Sequence, residues 1–383
     1  FILSFIILII LSVGIIGIII TSFDNESNKN IKDGSILKIN LSNPIVERAS
    51  ENPFESLSLN NLSPEIKVEL RDILYNIEKA KNDERIKGIY LTCSSINAGL
   101  SQTEEIRNKL LDFKSSGKFI ISYAENYTQK AYYLSSVADK IYLNPEGIVE
   151  LKGFSASIMF FKGLLEKLDV QVQVIRHGKF KSAIEPFVLN KMSTENRKQM
   201  SLLINTIADN ILDSIASQRE LSLKKIEEIT NKLDCNTAKK CIEYNFIDEL
   251  LYEDQVIHKL KNNIVDTNNI NIVSLQKYRN ILLKKKENIS RDKIAIIYTT
   301  GEISSGKGDL ESIGSETTVK AIRKAKKDKR IKAIVVRINS PGGSAIASDV
   351  ILREIMLAKL KKPIGVSMGD VAASGGSYIA CAA

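Results

Sequence analysis

The sequence predicts an α/β protein with two tandem copies of one domain behind an apolar N-terminal helix. Three observations predict it. Residues 77–89, IEKAKNDERIKGI, return at 322–334 as IRKAKKDKRIKAI, with nine of thirteen positions identical at an offset of 245. Short apolar strands rich in β-branched residues alternate with amphipathic helices, the mark of parallel strands buried on both faces. Residues 1–20, FILSFIILIILSVGIIGIII, contain no charge and no proline.

Twenty helical residues span about 30 Å, the thickness of one bilayer core. The 1–20 stretch exceeds a signal-peptide h-region, and no A-x-A-type cleavage site follows it. It therefore predicts an uncleaved, single-pass transmembrane anchor in contact with lipid. Residues 21–34 read as a linker. They carry Asp24, Glu26 and Asp33 against Lys29 and Lys32, so this flank is not basic and favours export of everything downstream.

The first copy occupies 35–283 and opens on the strand ILKINLSNPIVE from Ile36. A helix is predicted over 64–81: Ser63 caps it, Pro64 sits in its first turn, and Ile66, Leu70, Ile73, Leu74 and Ile77 share one face. The strand Ile86 to Thr92 follows, then a polar stretch, the strand KFIISYA from Lys118 and a helix-like run. A long helix near 194–218 carries Met200, Leu203, Ile204, Ile207, Ile211 and Ile215 on one stripe. Residues 284–292, KKKENISRD, read as a linker to the second copy at 293–383. That copy repeats the order: IAIIYTTGEIS from Ile294, the shared block, IKAIVVRI, NSPGGS, a helix, KPIGVSM and another helix. The opening strands are 258 apart, so the first copy holds about 13 extra loop residues within 47–64. The second copy is expected to continue past Ala383, and the sequence reads as a fragment at both ends.

Of the 383 residues, 44% are hydrophobic and 26% charged, enough to build cores and to exclude disorder along the whole chain. The net charge of +9 comes from dispersed basic residues, with Lys284 to Lys286 as the longest run, so no nucleic-acid partner is implied. His177 and His258 are the two histidines. Cys93, Cys235, Cys241 and Cys381 form no C-x-x-C and are too few for a disulfide framework. They are predicted to be small buried residues, Cys381 included, and no metal site is visible.

Two segments of the second copy carry candidate chemistry. Asn339-Ser340-Pro341-Gly342-Gly343-Ser344 follows a strand directly. Gly369-Asp370-Val371-Ala372-Ala373-Ser374-Gly375-Gly376 joins a strand to a helix. A serine at such a turn, among tiny residues and free N–H groups, suits acyl transfer, which needs a hydroxyl nucleophile and donors for a developing oxyanion. Gly375 and Gly343 are natural donors. Structural turns or a phosphate cradle would also fit, although neither segment matches G-x-x-x-x-G-K-[ST] or G-x-G-x-x-G.

NSPGG followed about thirty residues later by MGDVAASGG, in a tandem repeat behind an anchor, resembles the long form of the signal peptide peptidase A family. A second segment, Gly178-Lys179-Phe180-Lys181-Ser182-Ala183-Ile184-Glu185-Pro186-Phe187, is similar to the family's K-S-A-x-E-P-F segment, and NTAKKCIEYNFIDEL (236–250) resembles the end of its first repeat. The resemblance implies tandem domains of the crotonase-like, caseinolytic-protease-like fold. It implies Ser374 as nucleophile, Lys181 as general base and an oxyanion hole built from Gly342, Gly343 and Gly375. A Ser–Lys dyad needs no histidine, and its lysine acts only when neutral. Lys179 has the weaker claim. His177 reads as a partly buried polar residue, and Glu185 as orienting a neighbour or pairing with a basic group. Asp370 stands where many relatives are expected to carry a small or neutral residue.

The implied protein is a membrane-anchored serine endopeptidase of the bacterial inner membrane. Its catalytic part is extracytoplasmic, its substrates are cleaved signal peptides and other peptides, and it forms a homo-oligomer without metal, nucleotide or organic cofactor. Two rival readings are an acyl-CoA enzyme of the same fold and an inactive, tethered peptide-binding scaffold. The anchor and the intact Ser374 and Lys181 count against them. At an offset of 244, Lys130 fills the slot of Ser374, Tyr132 replaces Gly376, and Ser94 to Ala98 replace NSPGG. One dyad per chain is therefore expected, with its base from the first copy and its nucleophile from the second; the alternative is that Lys181 serves the serine of a neighbouring protomer.

Overall fold

A computed structural model describes residues 31–50, 66–262, 270–281 and 290–383. The predicted anchor, 1–20, lies outside the described residues, as do most of the 21–34 linker and residues 284–289. Among the described residues no helix is long and apolar enough to cross a membrane.

In chain order the elements are β1 (Ser35–Ile39), β2 (Ile45–Val46), β3 (Val68–Glu69), α1 (Leu70–Asn82), β4 (Ile86–Thr92), α2 (Leu100–Lys114), β5 (Phe119–Ala124), α3 (Gln129–Ser135) and β6 (Lys140–Leu143). There follow α4 (Lys162–Lys167), a 3₁₀ turn (Ser182–Ile184), α5 (Glu185–Val188), α6 (Thr194–Arg219), α7 (Leu223–Lys232), α8 (Ala238–Glu243) and β7 (Glu249–Leu250). The remainder is α9 (Glu253–Asn262), β8 (Ile272–Ser274), α10 (Leu275–Arg279), β9 (Lys293–Ser304), β10 (Ser312–Gly314), α11 (Ser315–Lys327), β11 (Ile331–Gly343), α12 (Ala345–Lys359), β12 (Ile364–Ala372) and α13 (Gly375–Ala380).

The chain divides into two compact units. One holds the chain through Tyr123, Val137–Lys140 and Glu253–Ala383; the other holds Ala124–Ser136 and Ile141–Tyr252. The first unit contains two parallel arrays. In one, β5, β4, β1 and β8 lie side by side. In the other, the order is β10-β9-β11-β12. Strands β1, β4 and β5 are almost wholly buried, as their apolar runs predict. The β9–β12 array differs. Ile297, Ile334, Val336 and Ile338 join Ile322, Ile351 and Ile355 in a core, but Ile294 and Ile296, on the alternate positions of β9, stay exposed, as does Met368 on β12. Among the described residues the alternate face of this array is covered only in part, at Arg337 on β11.

The repeated block has a physical explanation. The succession β1-α1-β4-α2-β5-α3 matches β9-α11-β11-α12-β12-α13. Each block ends a helix and opens a strand. Ile77, Ala80 and Ile89 are buried in one block, and Ile322, Ala325 and Ile334 in the other. After each helix an aspartate folds back on an arginine two residues on: Asp83 accepts from Arg85 Nε and Nη2, both at 2.8 Å, and Asp328 from Arg330 at 3.2 and 2.9 Å. A lysine then donates to a carbonyl of the helix's last turn and to that of the C-cap aspartate, where the helix dipole favours a cation. Lys118 Nζ donates to Ala80 O and Asp83 O at 2.7 and 2.8 Å, and Lys362 Nζ to Ala325 O and Asp328 O at 2.7 and 2.6 Å.

The helix predicted over 64–81 begins only at Leu70. Val68–Glu69 is instead a strand paired in parallel with Ile45–Val46, and that partner keeps the backbone extended through Glu69. Ile66 is exposed, so the buried face starts at Leu70, Ile73 and Ile77.

In the second unit β6 and β7 pair in parallel. Its core holds Tyr127, Tyr132 and Phe246 in edge-to-face contact, with Tyr132 Oη donating to Phe246 O at 2.7 Å. The 194–218 stripe becomes α6, but only its C-terminal part is covered: Ile211 and Ile215 are buried, whereas Leu203 is exposed. The expectation of four unpaired, buried cysteines fails in part. Cys235 and Cys241 form a disulfide, because the turn before α8 brings their Cα atoms to 5.3 Å.

Candidate active site

Strand β12 ends at Ala372, and α13 starts at Gly375. Between them Ser374 adopts φ 50° and ψ −116°, a region that side-chain-bearing residues rarely occupy. Ser374 is the N-cap of α13, yet its side chain makes no capping hydrogen bond. Ser193, Ser222, Ser274 and Ser344 all cap their helices through the hydroxyl. The Ser374 side chain is exposed and has no such duty.

The end of β11 closes over this turn. Ser340 is fully buried; its Oγ donates to Gly301 O at 2.6 Å and accepts the Gly342 N–H at 3.1 Å. Gly342 has φ 98°, and a Cβ there would stand 2.6 Å from Gly375 N and 2.8 Å from Ser374 Cβ. Only glycine permits this approach. Gly343 lies equally tight on Ile303. Gly375, the first residue of α13, has an N–H with no intrahelical partner. Ser374, Gly342 and Gly375 are thus packed together, with Gly343 next in the chain and held against Ile303. Cys381 does not join a core; it is an exposed free thiol past the end of the short α13, while Cys93 is buried.

By helix position the counterpart of Ser374 lies two residues before Lys130. Thr128 is the N-cap of α3, where Ser374 is the N-cap of α13, and Lys130 is the second residue of that helix. Thr128 Oγ1 accepts the Ala131 N–H at 3.4 Å, so its hydroxyl is used as a cap.

Two polar groups hold β12: Asp370, noted in the sequence only as a departure, and Arg337, which the sequence reading missed. Asp370 Oδ1 accepts from Ser101 N at 2.8 Å and Gln102 N at 3.4 Å, at the start of α2. Arg337 Nη1 donates to Ser367 Oγ at 2.8 Å and Met368 O at 3.3 Å. The signals were a helix start with glycine in place of a capping side chain, and an acid in an otherwise uncharged turn.

Lys181 belongs to the second unit, where it is exposed and precedes the 3₁₀ turn Ser182–Ile184. Lys179 is exposed too, and so is His177, against the expectation of partial burial; its segment, 171–180, is exposed throughout. Glu185 is fully buried and orients its neighbours. It accepts from Ser193 Oγ at 2.5 Å, Ser193 N at 3.1 Å and Asn196 Nδ2 at 2.8 Å. Burial pushes its carboxyl up, but these bonds and the Arg176 charge hold it below the usual carboxylate range. Ser193 in turn caps α6 through Asn196 N. Among the described residues no group of three or more His, Cys, Asp or Glu could hold a metal ion.

A strained, exposed serine beside close-packed glycines suits serine-type acyl transfer, and the proteins to which the chain is similar are peptidases. Residues 112–265 match peptidase family S49. Over 93% of its length the chain is 35% identical to Serine protease SPPA, chloroplastic, of Arabidopsis thaliana, of which it covers 52%. It is 32% identical over 95% of its length to Protease 4 of Haemophilus influenzae, covering 62% of that protein. Against Protease 4 of Salmonella typhi it is 36% identical over 81% of its length, covering 52%. The chain is thus similar to serine-type peptidases of family S49, SPPA and Protease 4 among them. It spans about half to three-fifths of the length of these relatives.

Proposed function

We propose that the chain belongs to a membrane-anchored serine endopeptidase that uses Ser374 as nucleophile and Lys181 as general base. The observation that carries this reading is Ser374 itself: a strained, exposed serine, excused from capping, with Gly342 packed against its turn. In the proposed reaction Ser374 Oγ attacks the peptide carbonyl as its proton passes to Lys181 Nζ. The oxyanion is held by the N–H groups of Gly375 and Gly343, with Gly342 shaping the turn because Ser340 already engages its N–H. The amine leaves with the proton from Lys181, and water then cleaves the acyl-enzyme.

Residues 1–20 have the length and apolarity of an anchor, and the flanking charges favour an extracytoplasmic catalytic part at the bacterial cytoplasmic membrane. Peptides at or near that membrane, cleaved signal peptides among them, are the substrate class that fits. Tandem crotonase-like domains, with the base from the first and the nucleophile from the second, fit the repeated order of elements. A homo-oligomer accords with the uncovered apolar stripe of α6 and the open face of β9.

The test is made in the full-length protein. Ser374→Ala and Lys181→Ala should each cut peptide turnover by about a thousandfold or more, and Lys179→Ala only mildly. A fluorophosphonate should label Ser374. Near-normal turnover by either of the first two variants would sink the assignment. Absence of labelling with an acyl thioester hydrolysed instead would favour an acyl-CoA enzyme.

A further inference from the structure

We propose that Asp370 is a positioning residue for Ser374, clamping the end of β12 to the start of α2 so that the reactive turn keeps its strained shape. The proposal rests on the reading of Ser374 as nucleophile.

The N-terminus of α2 is built to receive a carboxylate from elsewhere. Its N-cap is Gly99, which has no capping side chain, and its first turn contains no acidic residue. A local aspartate cap would bond the second and third helical N–H groups. Those are Ser101 and Gln102, the two that Asp370 Oδ1 accepts from across 269 and 268 residues of sequence. A Cβ on Gly99 would overlap the Asp370 carboxyl, so glycine is what admits it. The helix dipole favours the negative charge there.

On the other side Asp370 is four residues from Ser374. Its neighbour Val371 is fixed as well, donating its N–H to Asn339 Oδ1 at 3.0 Å. Upstream, Arg337 grips Ser367 and Met368. A residue at φ 50° persists only where its surroundings over-determine it. Releasing Asp370 removes the one of these ties that joins the last turn before Ser374 to a separate helix.

The experiment uses the full-length enzyme with Asp370→Ala, Asp370→Asn and Gly99→Ala, each assayed well below its own Tm. The readouts are kcat and KM for a fluorogenic peptide and the second-order rate of fluorophosphonate labelling at Ser374. Asp370→Ala should lower kcat and the labelling rate about 10- to 100-fold, as small misplacements of a reacting group do, with KM within about twofold. Gly99→Ala, which pushes the carboxyl off from the other side, should act the same way. Asp370→Asn keeps an acceptor for Ser101 and should restore most of the rate. If Asp370→Ala lowers Tm but leaves labelling and kcat unchanged, Asp370 is a helix cap only and the proposal is overturned. Should Asp370→Ala not fold, the contrast between Gly99→Ala and Asp370→Asn decides: equal, normal labelling by both overturns it. If Ser374→Ala itself retains activity, the nucleophile assignment fails first, and this proposal falls with it.

Discussion

Arg337 on β11 and Glu47, just after β2, form a two-pronged ion pair inside the first unit: Nε donates to one carboxylate oxygen at 3.0 Å and Nη2 to the other at 2.9 Å. Arg337 is 7% exposed and Glu47 4%, so both charges are out of water. Glu105 accepts a further bond from Nη2 at 2.6 Å, and Gln102 donates to Glu47 at 3.1 Å. Removing Arg337 would leave Glu47 buried and uncompensated, whereas removing Glu47 leaves Arg337 with Glu105. Arg337→Met should therefore destabilise the protein by about 3–5 kcal/mol and Glu47→Leu by less, and the double change Glu47→Leu, Arg337→Met should cost much less than the two single changes together. Urea denaturation of the four proteins checks this; additive losses would refute it.

Much of the fold was readable because its signals are local. Asp83 and Arg85, or Asp328 and Arg330, lie two residues apart, at the same place in the two copies of the repeated block. The Ser374 turn was readable from its tiny residues. What escaped depends on distant partners. No pattern near Asp370 points to Ser101, and none near Arg337 points to Glu47. The start of α1 was misplaced because Ile66 continues its apolar period, while a two-residue strand far upstream takes Val68 and Glu69. The disulfide escaped because it closes a turn with a spacing that marks no familiar motif.

The paired lysine caps should matter equally in both repeats. Lys118 sits over the carbonyls of Ala80 and Asp83, and burial lowers its pKa, which the Asp83 charge partly offsets. Lys118→Met and Lys362→Met should each cost roughly 1.5–3 kcal/mol, the usual worth of hydrogen bonds to a charged group. Chemical denaturation measures both. A loss at one site with none at the other would show that the matching geometry does not carry matching energy.

Thiol chemistry separates the four cysteines. In the native protein, peptide-mapped alkylation should modify Cys381 and spare Cys93; denaturation should add Cys93; Cys235 and Cys241 should react only after reduction. Alkylation of Cys235 in the unreduced, denatured protein would show that the bridge is not formed.

Glu185 should give the region around Lys181 a distinctive acid sensitivity. Its folded-state pKa is depressed, so its contribution is fully present above the ordinary glutamate range near 4.3 and is lost as pH falls through the folded value. Protonation would remove the acceptor for Ser193 N, Ser193 Oγ and Asn196 Nδ2 and loosen the cap of α6. Glu185→Ala leaves those buried donors unsatisfied and should cost about 1–3 kcal/mol at pH 7. Glu185→Gln retains one acceptor and should cost less. Hydrogen exchange across 182–200 as pH is lowered from 6 to 3 reads the effect locally. Protection there should fall earlier than protection of β4 in the natural protein. In Glu185→Gln, which cannot titrate at this position, that difference should shrink. Equal acid sensitivity of the segment in both proteins would show that another group is responsible.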